Sequence, residues 1–141
     1  MSRRTSQYLT SLAEVPLFSA LSQRDLSRLA RLGEEVEVEA GTRLVDEGAT
    51  GDQFFVILRG KAKVSRRGRR VASLARGDSF GELSLLDRGP RNATVTAETR
   101  MELLVLGQRE FSGLLDDAPG FSRKLLAGMA RRLREADTRN Q

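Results

Sequence analysis

The chain has 141 residues, with 24 Lys and Arg against 19 Asp and Glu for a formal net charge of +5. It contains neither cysteine nor histidine. That excludes disulfides, thiol nucleophiles, imidazole bases and the usual zinc ligands, and with them Ser-His-Asp and Cys-His catalysis. An enzyme would have to assemble its chemistry from carboxylates, Lys, Arg or Tyr8 alone, and no pattern in the chain does so, so no catalytic activity and no metal site are expected.

A hydrophobic share of 39% beside 30% charged residues is the profile of a soluble globular protein. No apolar stretch approaches the roughly 20 residues a membrane span needs. The start, MSRRTSQYLT, has no apolar h-region and is not a secretory signal. A cytoplasmic protein is therefore expected. Base collects in RRGRR (Arg66 to Arg70) and ARRLR (Ala130 to Arg134) and is otherwise scattered. The phenylalanines and the tyrosine do not interleave with these charges as a base-stacking platform requires. Solvated faces are the reading of both clusters. On RRGRR the charges also protect a sheet edge, with docking of an acidic partner as the alternative.

In chain order, the first third is helical. SQYLTSLAEVPLF offers Ser6 as N-cap and Leu9, Leu12 and Val15 as the apolar face before Pro16. LSQRDLSRLARL follows with Ser22 as cap and Leu26, Leu29, Ala30 and Leu32 at helical spacing. From Glu34 the period becomes two. EEVEVEAG alternates at Val36 and Val38 and breaks at Gly41; TRLVDEGATGD holds a short strand and a Gly-rich turn; QFFVILRG is a continuous apolar strand ended by Gly60. KAKVSRRGRRVASLARGD reads as a hairpin with Ala62 and Val64 inward, Gly68 in the tip, and Val71 and Leu74 returning. NATVTAETRMELLVLG adds two strands joined at AETR. Several short strands with Gly-bearing turns and no intervening helices predict a closed or double-layered antiparallel β fold. The end is helical again. QREFSGLLDDAPG is a short helix stopped by Pro119, and the last helix carries Phe121, Leu125, Leu126, Met129 and Leu133 on one face. The expected organisation is a single domain over 1–141: helical at 1–33, β at 34–107, and C-terminal helices at 108–138.

The stretch that carries chemistry is FGELSLLDRGPRNATVTA, Phe80 to Ala97. It sets an acid, Glu82, in an apolar run and a base, Arg91, after a proline. Buried, each charge needs a partner. Gly81 frees the chain to bend where a strand ends, and ELSLL then resembles one helical turn. The N–H groups of Glu82, Leu83 and Ser84 would point outward at a helix start and favour an anion. Arg91 can turn its planar fork toward the same end, where it matches phosphate oxygens bidentately. Glu82 would accept from a hydroxyl of the same ligand. A phosphate, a ribose hydroxyl and an apolar wall describe a nucleotide monophosphate. The alternative is that Glu82 and Arg91 pair with each other across the turn.

The same stretch resembles the phosphate-binding cassette of the cyclic-nucleotide-binding domain, which is shared by bacterial catabolite-activator-type regulators, regulatory subunits of cAMP-dependent kinase and cyclic-nucleotide-gated channels. The resemblance is carried by Phe80-Gly81-Glu82-Leu83-Ser84-Leu85, a five-residue spacer, and Arg91-Asn92-Ala93-Thr94-Val95-Thr96-Ala97. LVDEGATGDQFFVILRG, Leu44 to Gly60, is similar to the domain's early strands, and MARRL near the end is similar to the last helix of catabolite-activator-type proteins. The resemblance runs from about Ala13 to Leu133. It implies an eight-stranded, jelly-roll-like antiparallel β-roll with N-terminal helices and two C-terminal helices. It further implies that Arg91, with backbone N–H groups of the cassette turn and of Ala93, neutralises a cyclic phosphate, and that Glu82 accepts from the ribose 2′-hydroxyl. Leu83, Val64 and Val71 become the apolar wall. The last helix becomes a lid, with Ala136 and Asp137 near the base and Arg132 reaching inward.

The residue after Arg91 is usually Ala, Ser, Thr or Gln in that family; here it is Asn92, which has both a donor and an acceptor. cAMP is the expected ligand and cGMP the alternative, with no further cofactor. A catabolite-activator-type regulator would carry a helix-turn-helix after the last helix, whereas this sequence runs only to Gln141, so no specific nucleic-acid binding is expected of it. The partner would be a separate or fused effector, and a homodimer through the last helix is open. Two other readings stand beside this one: a fragment of such a regulator, and a non-binding roll used as a scaffold.

Overall fold

The structure is a computed structural model and describes residues 3–139, with side chains for 7–137. Two helices open the chain, α1 (Arg3–Ala13) and α2 (Gln23–Leu32), with a 3-10 turn at Pro16–Phe18 between them. α1 begins upstream of Ser6, which therefore lies within the helix instead of capping it; the polar residues ahead of it contain no helix breaker. Ser22 caps α2, its hydroxyl accepting from the Asp25 N–H at 3.1 Å. Leu26 and Leu29 of α2 are buried, while Leu32 at its last position is exposed.

Eight strands follow: β1 (Glu34–Val38), β2 (Arg43–Val45), β3 (Gln53–Arg59), β4 (Ala62–Arg66), β5 (Arg69–Leu74), β6 (Ser79–Phe80), β7 (Thr94–Ala97) and β8 (Met101–Gly107). A short helix, α3 (Glu82–Asp87), interrupts them, and α4 (Gln108–Asp117) and α5 (Pro119–Arg139) end the chain. The strands form two four-stranded antiparallel sheets, ordered β1-β8-β3-β6 and β2-β7-β4-β5. This is the antiparallel β-roll with flanking helices, double-layered and not closed into a barrel.

The continuous apolar runs of β3 and β8 are explained by burial on both faces. Phe55 and Ile57 of β3, with Met101, Leu103 and Val105 of β8, face the other sheet and meet Ala62, Val95 and Ala97 there. Phe54, Val56, Leu58, Leu104 and Leu106 face the opposite way and pack under the helices against Leu29, Phe111 and Phe121. A sheet covered on two sides has no polar face to alternate with, so the period of two disappears.

The hairpin turns at Arg67 and Gly68, both at positive φ, 52° and 78°, as a two-residue hairpin turn requires. Its register corrects one expectation. Val64 lies opposite Ala72, but Ser65 lies opposite Arg70, so Val71 is the extra residue of a bulge and is exposed. Leu74 does pack toward the inter-sheet core, as does Val64. A second correction concerns α5. Phe121 and Leu125 are buried and Met129 packs beside them, but Leu126 and Leu133 are 62% and 65% exposed. The roll covers a narrower stripe than five apolar residues describe. Pro119 ends nothing in mid-helix: α4 stops at Asp117, and proline opens α5, where its missing N–H is no loss.

Candidate functional site

β6 delivers the chain to the site. Phe80 stacks on Phe55 of β3 with centroids 4.8 Å apart, and Gly81 then turns the backbone at φ 98° into α3. A side chain at Gly81 would place its Cβ 2.7 Å from the Gln53 carbonyl oxygen and 2.9 Å from Arg91 Nη1, so only glycine fits.

Arg91 is 7% exposed. Its Nη1 donates to the Gly81 carbonyl at 2.9 Å and its Nη2 to the Gln53 carbonyl at 2.8 Å. The fork is thus fixed between the end of β6 and the start of β3. Gly51 completes the seat, because a Cβ there would collide with the guanidinium. Burial pulls the Arg91 pKa below its ordinary value, while the charges of Asp52 and Glu82 pull it back up. Arg91 has no carboxylate ion-pair partner among the described residues. A guanidinium keeps its proton regardless, so the seat holds a buried cation with no counter-ion in contact.

Glu82 does not pair with Arg91. It is 3% exposed, and its Oε1 accepts from Arg132 Nη1 of α5 at 2.9 Å. Arg132 Nη2 also donates to the Ser79 carbonyl at 2.7 Å, so one α5 side chain grips both the acid and the strand before it. The second oxygen, Oε2, is buried with no hydrogen-bond partner. An orphaned carboxylate oxygen leaves an acceptor site strongly short of a donor.

The other candidate residues are placed as follows. Ser84 and Ala93 are buried, and Leu83 and Asn92 are exposed. Val71 is exposed in its bulge, whereas Val64 packs into the inter-sheet core. Ala136 and Asp137 are exposed on the last turns of α5. Sequence reasoning missed Gly51, Gln53 and Ser79. Gly51 was within reach, since GATGD is a Gly-rich turn in the resembling segment Leu44 to Gly60; Gln53 and Ser79 contribute only carbonyls, which no side-chain pattern encodes. Among the described residues no cluster of acidic residues could hold a metal ion, and no helix is long and apolar enough to cross a membrane.

By architecture the chain is an antiparallel β-roll with its two buried, opposite charges beside one short helix. Residues 35–118 match the family model of the cyclic nucleotide-binding domain. The cAMP-dependent protein kinase regulatory subunit of Yarrowia lipolytica is 41% identical over 115 residues, 80% of this chain and 31% of that protein. The catabolite activator protein of Thermus thermophilus superposes with a TM-score of 0.80 at 32% identity, over 88% of this chain and 61% of that one. The regulatory domain of Toxoplasma gondii PKA, crystallised with cAMP, gives a TM-score of 0.73 at 32% identity, over 84% of this chain and 47% of that one. The chain belongs to the cyclic nucleotide-binding domain family. It spans only about a third of the Yarrowia regulatory subunit (31%).

Proposed function

We propose that this chain binds a cyclic nucleotide, cAMP in preference to cGMP, and acts as a regulatory module and not as an enzyme. The observation that carries the reading is the pair of unmet needs at one site: a buried Arg91 without a counter-ion and a buried Glu82 oxygen without a donor. A cyclic nucleotide answers both. Its phosphate meets Arg91 and the backbone N–H groups around Gly81, Leu83, Ser84 and Ala93, and its ribose 2′-hydroxyl donates to Glu82 Oε2. The base lies along Leu83 and Val71, where apolar surface is exposed. Asn92 at the rim supplies the donor and acceptor that choose between bases. The ligand requires no cofactor. The toxoplasma regulatory domain crystallised with cAMP supports the ligand class.

Signalling passes through α5. Arg132 ties this helix to Glu82, so a ligand that engages Glu82 changes what Arg132 holds, and favours one pose of α5 by binding it better than the other. The whole of 1–141 works as one cytoplasmic unit. The signal goes to a protein partner or fused effector, as the relatives' description as kinase regulatory subunits suggests. A homodimer through the exposed Leu126 and Leu133 of α5 is compatible with this.

The test is thermal unfolding with saturating cAMP, cGMP and 2′-deoxy-cAMP. A ligand held at 100 times its Kd stabilises the fold by about 2.7 kcal/mol. The expected order is cAMP above cGMP above no ligand, with 2′-deoxy-cAMP weaker than cAMP. No shift with any of them would sink the reading.

Two substitutions follow from the seat and the tie. Gly51→Ala pushes the guanidinium off its carbonyls and weakens cAMP by roughly 10-fold or more, with Tm close to wild type; unchanged affinity by titration would contradict the seat. Arg132→Met removes the Glu82 partner and weakens cAMP by roughly 3- to 10-fold. It should also speed amide exchange beyond Met129 in α5, and equal exchange in both proteins would mean the tie does not hold the helix.

A further inference from the structure

The hairpin tip, read from the sequence as a solvated cluster, makes contacts that a solvated cluster would not. The β4–β7 ladder ends at the pair Ser65 and Thr94. The next residue of β4, Arg66, continues past it, and its Nε donates to the Asn92 carbonyl at 3.1 Å. On the other side of the same segment, the loop after β2 runs alongside. The Glu47 N–H donates to Thr94 Oγ1 at 3.0 Å, the Arg91 N–H to the Ala49 carbonyl at 2.8 Å, and the Gly48 N–H to the Arg91 carbonyl at 2.8 Å. The two sides are joined directly, because the Arg67 N–H donates to Glu47 Oε1 at 2.9 Å.

The backbone of Arg91 and Asn92 is therefore held from both sides just where the ladder stops. We propose that the hairpin tip is a positioning clamp for Arg91, with Arg66 and Glu47 as its jaws. Arg66 fixes the Asn92 carbonyl, Glu47 locks the tip to the β2 loop, and the loop pins Arg91 itself. Neither residue touches a ligand; both act by fixing the backbone from which the guanidinium is aimed. This inference rests on the cyclic-nucleotide reading for its effect on affinity, but the clamp itself exists without ligand. It also separates Arg66 from its neighbours in RRGRR: Arg70 pairs with Glu98 and faces away from this duty.

The test has two parts. In titrations with cAMP, Arg66→Met weakens binding by roughly 3- to 10-fold in the wild-type background and adds nothing in the Arg91→Ala background, since contacts that act through one residue are not additive. Arg66 acting by bulk charge or by general stability would give the same loss in both backgrounds, and in a protein that binds cAMP either that or no loss at all would overturn the clamp. Without ligand, Arg66→Met and Glu47→Ala speed exchange of the Arg91 amide while the Leu104 amide of β8 keeps its protection. Unchanged exchange at Arg91 would overturn it independently. Faster exchange in a protein that ignores cAMP would support the clamp and sink the nucleotide reading alone.

Discussion

Alanine at Arg91 lowers the affinity for cAMP by roughly 10- to 150-fold, the equivalent of about 1.5–3 kcal/mol for hydrogen bonds to a charged group. The guanidinium is seated on the carbonyls of Gly81 and Gln53, and the neighbouring Arg132 fork is engaged with Glu82 and the Ser79 carbonyl. Arg91→Lys recovers only part of the loss, because an ammonium keeps the charge but not the planar pair of donors. The fold should survive both changes. A buried cation without a counter-ion adds little net stability, its desolvation offsetting the two carbonyl bonds. Titration gives the affinities and circular dichroism the fold; wild-type affinity in a folded Arg91→Ala protein would remove Arg91 from the site.

Alanine at Phe121 acts on stability instead, destabilising the fold by about 3–5 kcal/mol. Phe121 is fully buried in the first turn of α5, where its ring lies 6.2 Å from Phe18, 6.4 Å from Phe54 and 6.0 Å from Phe111. Three elements meet on that ring: the 3-10 turn, the outer face of the first sheet, and α4. The neighbouring Gly120 lies so close to Ala20 that a Cβ would come within 2.8 Å of the alanine methyl, so the structure cannot collapse easily into the space left behind. At this size the loss corresponds to a fall in Tm of about 6–20 °C. Because the same ring anchors the base of α5, the substitution also loosens the helix that carries Arg132. A change below about 1 kcal/mol in urea unfolding would show that the aromatic cluster does not hold α5 to the roll.

Much of this was legible in the sequence because it is local. Ser22 caps α2 through its own hydroxyl, Gly81 sits at positive φ, and Val36 and Val38 alternate with glutamates along an edge strand of the first sheet. Each depends on neighbours within a few residues. What escaped depends on distant ones. The bulge at Val71 shifts one strand against another by a single residue, which no alternation within β5 reveals. Leu126 and Leu133 are spaced to continue the apolar face of Phe121 and Leu125, but the roll covers a narrower stripe of α5 and meets Arg132 in place of Leu133. The partner of Glu82 was undecidable from FGELSLLDRGPRN alone. Arg91 is nine residues away and Arg132 fifty, and only the return of α5 over β6 selects Arg132. Gly51 appeared as a turn glycine, whereas its more exacting duty is to leave room for an arginine forty residues later.

Arg91 and Glu82 are placed to hold the two ends of one ligand. Isothermal titration of the protein with cAMP, after unfolding and refolding to strip any carried nucleotide, tests it most directly. The expected result is saturable one-to-one binding, weaker for cGMP and weaker again when the 2′-hydroxyl is absent. No heat with either nucleotide in a folded sample would contradict it, and would leave the buried arginine and glutamate without the ligand that explains them.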